Sequence, residues 1–179
     1  ARPHGGGLKD GNVAYAPVMF SRGCPYKCHF CHISKELEGS LGGNTRKYRI
    51  KSINRIIKEL KILKNLGVKY VFIEDDSLLA KKERAKEIFS KVKELGLQLA
   101  DVNGINLAHL CTKVDGKLGV DDALMESMAG AGFKKLQYPV ESASQRILDK
   151  YATGKLNLKK HDVFGLIKKA NEIGIEVVG

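Results

Sequence analysis

The amino-acid sequence predicts an α/β fold in which short parallel strands alternate with helices. Four stretches with apolar residues at helical spacing each end at a glycine, and a short apolar or β-branched run follows each of them. Polar residues stand directly after the predicted strands. Alternating units of this kind form a parallel sheet covered by helices, and their functional residues lie at the carboxyl ends of the strands. The periodicity suits a barrel and an open, doubly wound sheet equally well.

The elements follow one another in regular order along the chain. Ser52 and Asp121 are expected to cap helices, because a side-chain oxygen at that position accepts a hydrogen bond from a free backbone N–H group. A short helix is predicted at 144–151, and the segment from Cys111 to Val120 is expected to be a loop. We predict strands at residues 14–20, 68–73, 97–102, 133–140 and 175–178.

The two ends of the chain indicate how it is divided into domains. Residues 1–13 are rich in glycine and basic side chains and show no period, so we expect a linker or arm there, followed by one domain at 14–179. The sequence starts with Ala1 rather than Met, and it stops at Gly179 within an apolar, strand-like run. We therefore expect this chain to be a segment of a longer polypeptide.

The composition is that of an ordinary globular domain. The chain has 179 residues, of which 43% are hydrophobic and 28% are charged, and this is enough to form a core. No apolar run approaches the ~20 residues of a membrane span, and no secretory signal is visible. Clustered cysteines of this kind bind metal in a reducing cytosol more readily than they form disulfides. We expect a cytoplasmic protein that does not contact membranes.

The formal net charge of +11 raises the question of an anionic partner. A basic surface suits nucleic acid, anionic substrates or an acidic reductant such as a flavodoxin. Acidic residues interrupt the basic ones along the predicted helices, as at residues 81–87. This mixture favours solvated helix faces over a nucleic-acid surface. We therefore expect a small-molecule substrate rather than RNA.

Three cysteines lie within eight residues, directly after the first predicted strand. Cys24, Cys28 and Cys31 have the spacing C-x3-C-x2-C. Thiolates packed so closely select an iron–sulfur cluster or zinc over hard cations. A cubane 4Fe–4S cluster needs a ligand on each iron, so three cysteines would leave one iron open. An open metal position is what catalysis requires.

The cysteine pattern leaves two other metal sites open. One is a zinc site completed by His29 or His32, and the other is a closed electron-transfer cluster completed by Cys111. Either would make the chain a binding or electron-transfer module rather than an enzyme. The helix–strand repeat downstream favours the open cluster, because a zinc knuckle would not need it.

The cysteine spacing, with Phe30 before the last cysteine, resembles the cluster motif of the radical S-adenosylmethionine (SAM) superfamily. The resemblance implies that Cys24, Cys28 and Cys31 hold a 4Fe–4S cluster whose open iron is chelated by SAM. It implies that one electron, from a flavodoxin- or ferredoxin-like reductant, cleaves SAM to methionine and a 5′-deoxyadenosyl radical. Phe30 would pack beside the cluster and the adenine. The implied fold is a partial (β/α)6 barrel, truncated here in its fifth strand.

Other segments resemble the same family and imply a set of SAM-binding residues. The acidic run after the second strand stands where the family holds the ammonium group of SAM, although the usual Gly-Gly-Glu form is absent. Polar residues after the third and fourth strands stand where the family contacts the ribose and methionine. The implied SAM contacts are Glu74, Asp75, Asp76, Asn103, Glu141 and Ser142.

The segment around the fourth strand suggests a branch of the family. Val140-Glu141-Ser142-Ala143 resembles the Val-Glu-Ser-Gly segment of the cobalamin-dependent and methylthiotransferase-like branch. This implies cobalamin as a further cofactor, for methyl transfer or rearrangement, with an RNA-modifying enzyme as the alternative. Pro139 departs from the usual pattern, and because it lacks an N–H group we expect the strand to end or bulge there.

Overall fold

The computed structural model describes residues 14–35, 48–114, 117–152 and 155–179. The predicted linker at 1–13 lies outside the described residues. The strands are β1 (Tyr15–Val18), β2 (Ser21–Arg22), β3 (Arg49–Ile50), β4 (Tyr70–Ile73), β5 (Gln98–Asp101), β6 (Cys111–Val114), β7 (Lys117–Val120), β8 (Phe133–Gln137) and β9 (Glu176–Val178). The helices are α1 (His32–Lys35), α2 (Ile53–Asn65), α3 (Lys82–Lys93), α4 (Asp122–Gly130), α5 (Gln145–Tyr151) and α6 (Val163–Glu172), with a 3-10 helix at Leu107–Leu110.

The central sheet is parallel, and its strand order follows the chain. Its five strands lie in the order β1-β4-β5-β8-β9, and every neighbouring pair is parallel. A doubly wound sheet would reverse its order at a switch point, whereas a barrel adds each strand beside the previous one. The α/β prediction is therefore confirmed, and the strand order is that of a partial barrel wall.

One face of this sheet is buried against the helices. Val71 and Ile73 of β4 and Leu99 of β5 are essentially inaccessible to solvent, while the residues that alternate with them are partly exposed. Phe133 of β8 meets Phe89 of α3 edge to face, with ring centroids 5.2 Å apart. The apolar core thus lies between the sheet and the helices, and the polar loops collect at the ends of the strands.

Local signals in the sequence explain where the elements begin and end. Ser52 accepts a hydrogen bond from the N–H of Arg55, and Asp121 accepts one from Leu124, so both predicted caps are confirmed. The fourth strand of the sheet ends at Gln137, two residues before Pro139, as the missing proline N–H group predicts.

Two short antiparallel pairs were not predicted. The expected loop from Cys111 to Val120 is instead a hairpin, in which β6 pairs with β7. An Asp-Gly pair stands at 115–116 in the sequence and is a strong hairpin signal that outweighs the polar composition. The first strand ends at Val18 rather than at residue 20, and β2 pairs with β3.

In the described part of the chain, no helix is both long enough and apolar enough to span a membrane.

Candidate metal and cofactor site

A cavity of about 500 Å³ opens at the carboxyl ends of β1, β4, β5 and β8. Cavities that hold small ligands commonly measure roughly 300–1,000 Å³. Its walls are Met19, Arg22, Cys24, Tyr26, Cys28, Phe30, Cys31, His32, Ile33, Asp76, Ser77, Asn103, Gly104, Asn106, Pro139, Glu141 and Lys155. The structure therefore gathers seven of the predicted site residues, including all three clustered cysteines, around one space.

The cysteine loop presents its thiols from the wall of this cavity. Cys28 is buried, Cys24 and Cys31 are partly exposed, and all are free thiols. The N–H of Cys31 donates to the carbonyl of Cys28 at 3.2 Å, and the N–H of His29 donates to Tyr151 of α5 at 2.8 Å. These bonds hold the loop in a tight turn against α5.

Burial affects the chemistry of these thiols. It raises the pKa values of Cys24 and Cys28 above the ordinary range, whereas the positive charge of Lys155 opposes this rise. A buried thiolate needs a compensating positive charge, which metal coordination supplies. Among the residues that the structure describes, no three His, Cys, Asp or Glu side chains are arranged to hold a single metal ion. In a cubane each cysteine binds a different iron, so the thiols need not meet at one point.

Cys111 lies apart from the clustered cysteines. It does not line the cavity, it is buried at the start of β6, and its thiol donates to the carbonyl of Leu107 at 3.6 Å. The structure thus does not bring Cys111 into the cavity as a further cluster ligand.

The three consecutive acids after β4 point in different directions. Asp76 lines the cavity, and its carboxylate accepts a hydrogen bond from the N–H of Gly23 at 2.7 Å. Asp75 is fully buried outside the cavity and accepts hydrogen bonds from the N–H of Phe20 and the hydroxyl of Ser21. The Glu74 side chain does not line the cavity. Only Asp76 of this run is therefore placed to meet a cavity ligand.

Burial also governs the ionisation of Asp75. Desolvation raises the pKa of this carboxyl to about 6, although its hydrogen bonds with Ser21 and Phe20 and the charge of Arg84 oppose the shift. Its partners belong to the segment between β1 and the cysteines. We conclude that Asp75 ties the base of the cysteine loop to the end of β4.

The predicted residues after β5 and β8 are divided in the same way. Asn103 lines the cavity and donates to the Glu74 carbonyl at 2.8 Å. Glu141 also lines it, has a left-handed backbone with φ +67°, and pairs with Lys155. A non-glycine residue in that conformation is uncommon and often marks a functional site. Ser142 is outside the cavity, where its hydroxyl accepts a hydrogen bond from the N–H of Ser144.

Sequence reasoning missed several polar residues of the region, among them Asp101, Asn106 and Lys155. Asp101 is a buried acid at the end of β5, and a charged residue in an apolar strand is a signal that could have identified it. Its Oδ2 accepts hydrogen bonds from the N–H groups of Gly104 and Gln137, and burial raises its pKa to about 7. Asn106 and Lys155 line the cavity, but no spacing in the sequence distinguishes them.

Comparison with protein families decides what kind of domain surrounds this cavity. The sequence model described as "Radical SAM superfamily" matches residues 18–179. The chain belongs to the radical SAM superfamily. Members of this family are enzymes that use a 4Fe–4S cluster and SAM, so the predicted family and these two cofactors are confirmed.

Two curated relatives are methyltransferases by name. An uncharacterized methyltransferase of Pyrococcus horikoshii is 28% identical over 172 residues, which are 96% of this chain and 33% of that protein. The cytidylyl-2-hydroxyethylphosphonate methyltransferase of Streptomyces wedmorensis is 29% identical over 160 residues, 89% of this chain and 26% of that protein. This radical SAM chain thus spans about a quarter to a third of the length of these relatives.

Solved radical SAM enzymes share the fold. The methyltransferase TsrM of Kitasatospora setae, solved with cobalamin and a 4Fe–4S cluster, gives a TM-score of 0.65 at 15% identity and covers 92% of this chain and 30% of its own. The cobalamin-dependent enzyme OxsB gives a TM-score of 0.63 at 17% identity, covering 92% and 23%. The partial barrel prediction is confirmed by this likeness.

Proposed function

We propose that this chain is the catalytic core of a cobalamin-dependent radical SAM methyltransferase. Cys24, Cys28 and Cys31 hold the 4Fe–4S cluster and leave one iron for SAM. When bound, the cluster supplies the electron that cleaves SAM to methionine and a 5′-deoxyadenosyl radical. The substrate that receives the methyl group is a small molecule.

One observation carries this proposal. Three thiols and three polar side chains from successive strand ends, Asp76, Asn103 and Glu141, line the same cavity. An open metal position beside acceptor and amide groups can bind both ends of a polar cofactor. A purely structural metal site would need no such space.

Each polar side chain of the cavity has a role in this proposal. The carboxylate of Asp76 faces the ammonium group of SAM while its bond to the Gly23 N–H keeps the cysteine loop in place. Asn103 and Glu141 contact the ribose and methionine groups. Lys155, ion-paired with Glu141, lies close enough to the thiols to favour their charged form. Phe30, which lines the cavity, packs beside the cluster and the adenine.

Support for cobalamin comes from the relatives. TsrM and OxsB are described as cobalamin enzymes, and both share the fold. The two curated relatives above are methyltransferases by name. Cobalamin would carry a methyl group between SAM and the substrate, and we place its binding outside residues 14–179.

The test is anaerobic reconstitution with iron and sulfide, followed by electron paramagnetic resonance of the reduced protein. We expect a cubane signal that changes when SAM is added. With reductant and SAM, 5′-deoxyadenosine or S-adenosylhomocysteine should accumulate. A reduced protein without a cubane signal, or with one that SAM leaves unaltered, would contradict the proposal.

A second candidate is an RNA-modifying enzyme of the same family, favoured by the net charge of +11. Phosphate contacts make nucleic-acid affinity fall steeply with salt. Binding of bulk tRNA that weakens steeply between low and moderate salt would support this candidate. The absence of binding even at low salt would remove it.

Charge and thiol chemistry support a proposal for the reductant and the compartment. We propose a flavodoxin- or ferredoxin-like donor in the cytoplasm, because an acidic carrier complements a basic protein and free cysteines persist in a reducing compartment. A comparison of SAM cleavage driven by such a carrier at low and high salt checks this. Rates that do not fall with salt would speak against charge-guided docking.

A further inference from the structure

One buried polar group on the cavity wall has no protein partner. Asn106 is only 8% exposed and lines the cavity. Its side-chain nitrogen Nδ2 has no hydrogen-bond partner in the described part of the chain. A buried donor without an acceptor is costly, so such groups in native proteins usually have a ligand or water to bind.

The orientation of this amide is fixed by its other end. The Oδ1 atom of Asn106 accepts a hydrogen bond from the N–H of Ala108 at 3.0 Å and caps the 3-10 helix at Leu107–Leu110. A flipped amide would place its NH2 group against the Ala108 donor. The network therefore assigns Nδ2 as the atom that remains available on the cavity side.

A second pair of residues places this amide beside the cysteines. The hydroxyl of Tyr26 is 2.9 Å from Nε2 of His109, and burial lowers the pKa of His109 to about 4, so the ring is neutral. Burial raises the pKa of Tyr26, and the nearby Asn106 side chain opposes this rise, although Nδ2 forms no hydrogen bond to the Tyr26 hydroxyl. Tyr26 stands in the chain between Cys24 and Cys28. The free amide thus lies next to the cluster ligands, where the occupant of the open iron must lie.

We propose that Asn106 is a SAM-binding residue whose side-chain N–H donates to an oxygen acceptor of the cofactor. The acceptor is either the carboxylate of the methionine half or a ribose hydroxyl. The Tyr26–His109 pair keeps this part of the wall in place against the cysteine loop. The inference rests on the proposed function, since it requires SAM in the cavity.

The test is the affinity of the anaerobically reconstituted protein for SAM, measured by equilibrium dialysis. In Asn106→Ser the serine hydroxyl can still cap the 3-10 helix, but it is too short to replace the amide arm. We expect SAM to bind about tenfold more weakly, as loss of one hydrogen bond from a buried donor predicts. The iron content should equal that of the parent. Asn54→Ser, the same change at an exposed position of α2, should leave affinity unchanged.

A second ligand separates the two acceptors. Methylthioadenosine keeps the ribose and lacks the amino acid, so an equal loss of its affinity assigns the contact to the ribose. Unchanged methylthioadenosine affinity, with weaker SAM binding, assigns it to the carboxylate. Both results support the proposal.

Other outcomes overturn the proposal. If Asn106→Ser binds SAM with an affinity within twofold of the parent, Asn106 does not donate a hydrogen bond to SAM. If that variant loses the cluster, Asn106→Asp takes its place, because its first oxygen still accepts from Ala108 while its second cannot donate. Parent-like affinity there would equally overturn the proposal. A parent that holds the cluster and binds no SAM refutes the proposed function itself, whatever the variants do.

Discussion

The cavity has two walls, and they satisfy their buried polar groups differently. The cysteine wall comprises residues 20–31 and 74–77, and two of its three acids accept hydrogen bonds from the protein. Asp75 and Asp76 accept hydrogen bonds from the segment that carries the cysteines. The amide wall comprises residues 101–109 and 137–141. Nδ2 of Asn106, which lines the cavity, and Oδ1 of Asp101, which does not, have no hydrogen-bond partners in the described chain.

This difference shows how a cofactor site can be divided between two tasks. The cysteine wall uses its carboxylates to fix a loop, which must present thiols at defined positions. Each wall has a left-handed glycine, Gly23 with φ +88° and Gly104 with φ +97°, but only the amide wall has a left-handed residue with a side chain, Glu141 with φ +67°. Strained backbone and unmet polar atoms are typical of surfaces that receive a ligand.

The largest expected effect concerns the cysteine wall alone. Cys28→Ala should abolish cluster binding, because two remaining thiols cannot hold three irons of a cubane. Cys111→Ala, an identical change at another buried cysteine, should leave the cluster intact, because Cys111 lies outside the cavity. Iron and sulfide analysis after anaerobic reconstitution measures both. Loss of the cluster in Cys111→Ala would instead support the alternative of a closed cluster held by four cysteines.

A smaller effect tests the buried acid of the amide wall. Burial raises the pKa of Asp101 to about 7 from 3.8, so the unfolded chain loses this proton at lower pH than the fold does. Below about pH 4, Asp101 is protonated in both the folded and the unfolded state, so it does not lower the free energy of unfolding. As pH rises from about 4 to 7 the free energy of unfolding should fall, by on the order of 4 kcal/mol from this group.

Asp101→Asn removes this titration. Urea denaturation between pH 5 and 8 should therefore show a shallower decline of the free energy of unfolding in the variant than in the parent. Asp75, whose pKa burial raises to about 6, contributes a decline of the same sign that the variant keeps. Identical slopes in the two proteins would mean that Asp101 is not desolvated as the structure indicates.

The smallest expected effect comes from a comparison of two glycines that both have positive φ. A Cβ at Gly104 would lie 2.9 Å from Cγ of Pro139, whereas at Gly67, with φ +84°, it would meet nothing within 4 Å. Gly67→Ala should lower the free energy of unfolding by about 1 kcal/mol, because alanine is strained in a left-handed conformation. Gly104→Ala should lower it by about 1 kcal/mol more, because the added methyl group meets Pro139, and should also weaken SAM binding. Thermal unfolding measures the loss of stability, and equilibrium dialysis measures the loss of SAM affinity. If the two variants behave alike, Gly104 does not pack tightly against Pro139 as the structure indicates.

The sequence predicted the scaffold, and the grouping of the three cysteines around one cavity, for identifiable reasons. Each strand of the sheet after β1 follows a glycine that ends a helix, so local sequence signals are enough to place it. The three cysteines are close in sequence, so their spacing alone predicts that their thiols lie near one another and can bind a metal cluster. Ser52 and Asp121 were identified as caps because capping depends on nearest neighbours.

Features that depend on distant contacts were not predicted. Asp75 and Asp76 are adjacent in sequence, yet one is buried against Phe20 and the other faces the cavity. Nothing local separates them, because the difference lies in where the cysteine loop packs. Asn106 reaches the cavity wall only because the chain folds back through the 3-10 helix that it caps, which brings it close to Tyr26.

Mössbauer spectroscopy of the reconstituted cluster tests the central claim most directly, since it resolves the environment of each iron. We predict a 4Fe–4S cluster in which one iron differs from the other three, and the spectrum of that iron alone should change when SAM is added. Four equivalent irons that SAM does not alter would show that the protein occupies every corner, and would contradict an open catalytic iron in this cavity.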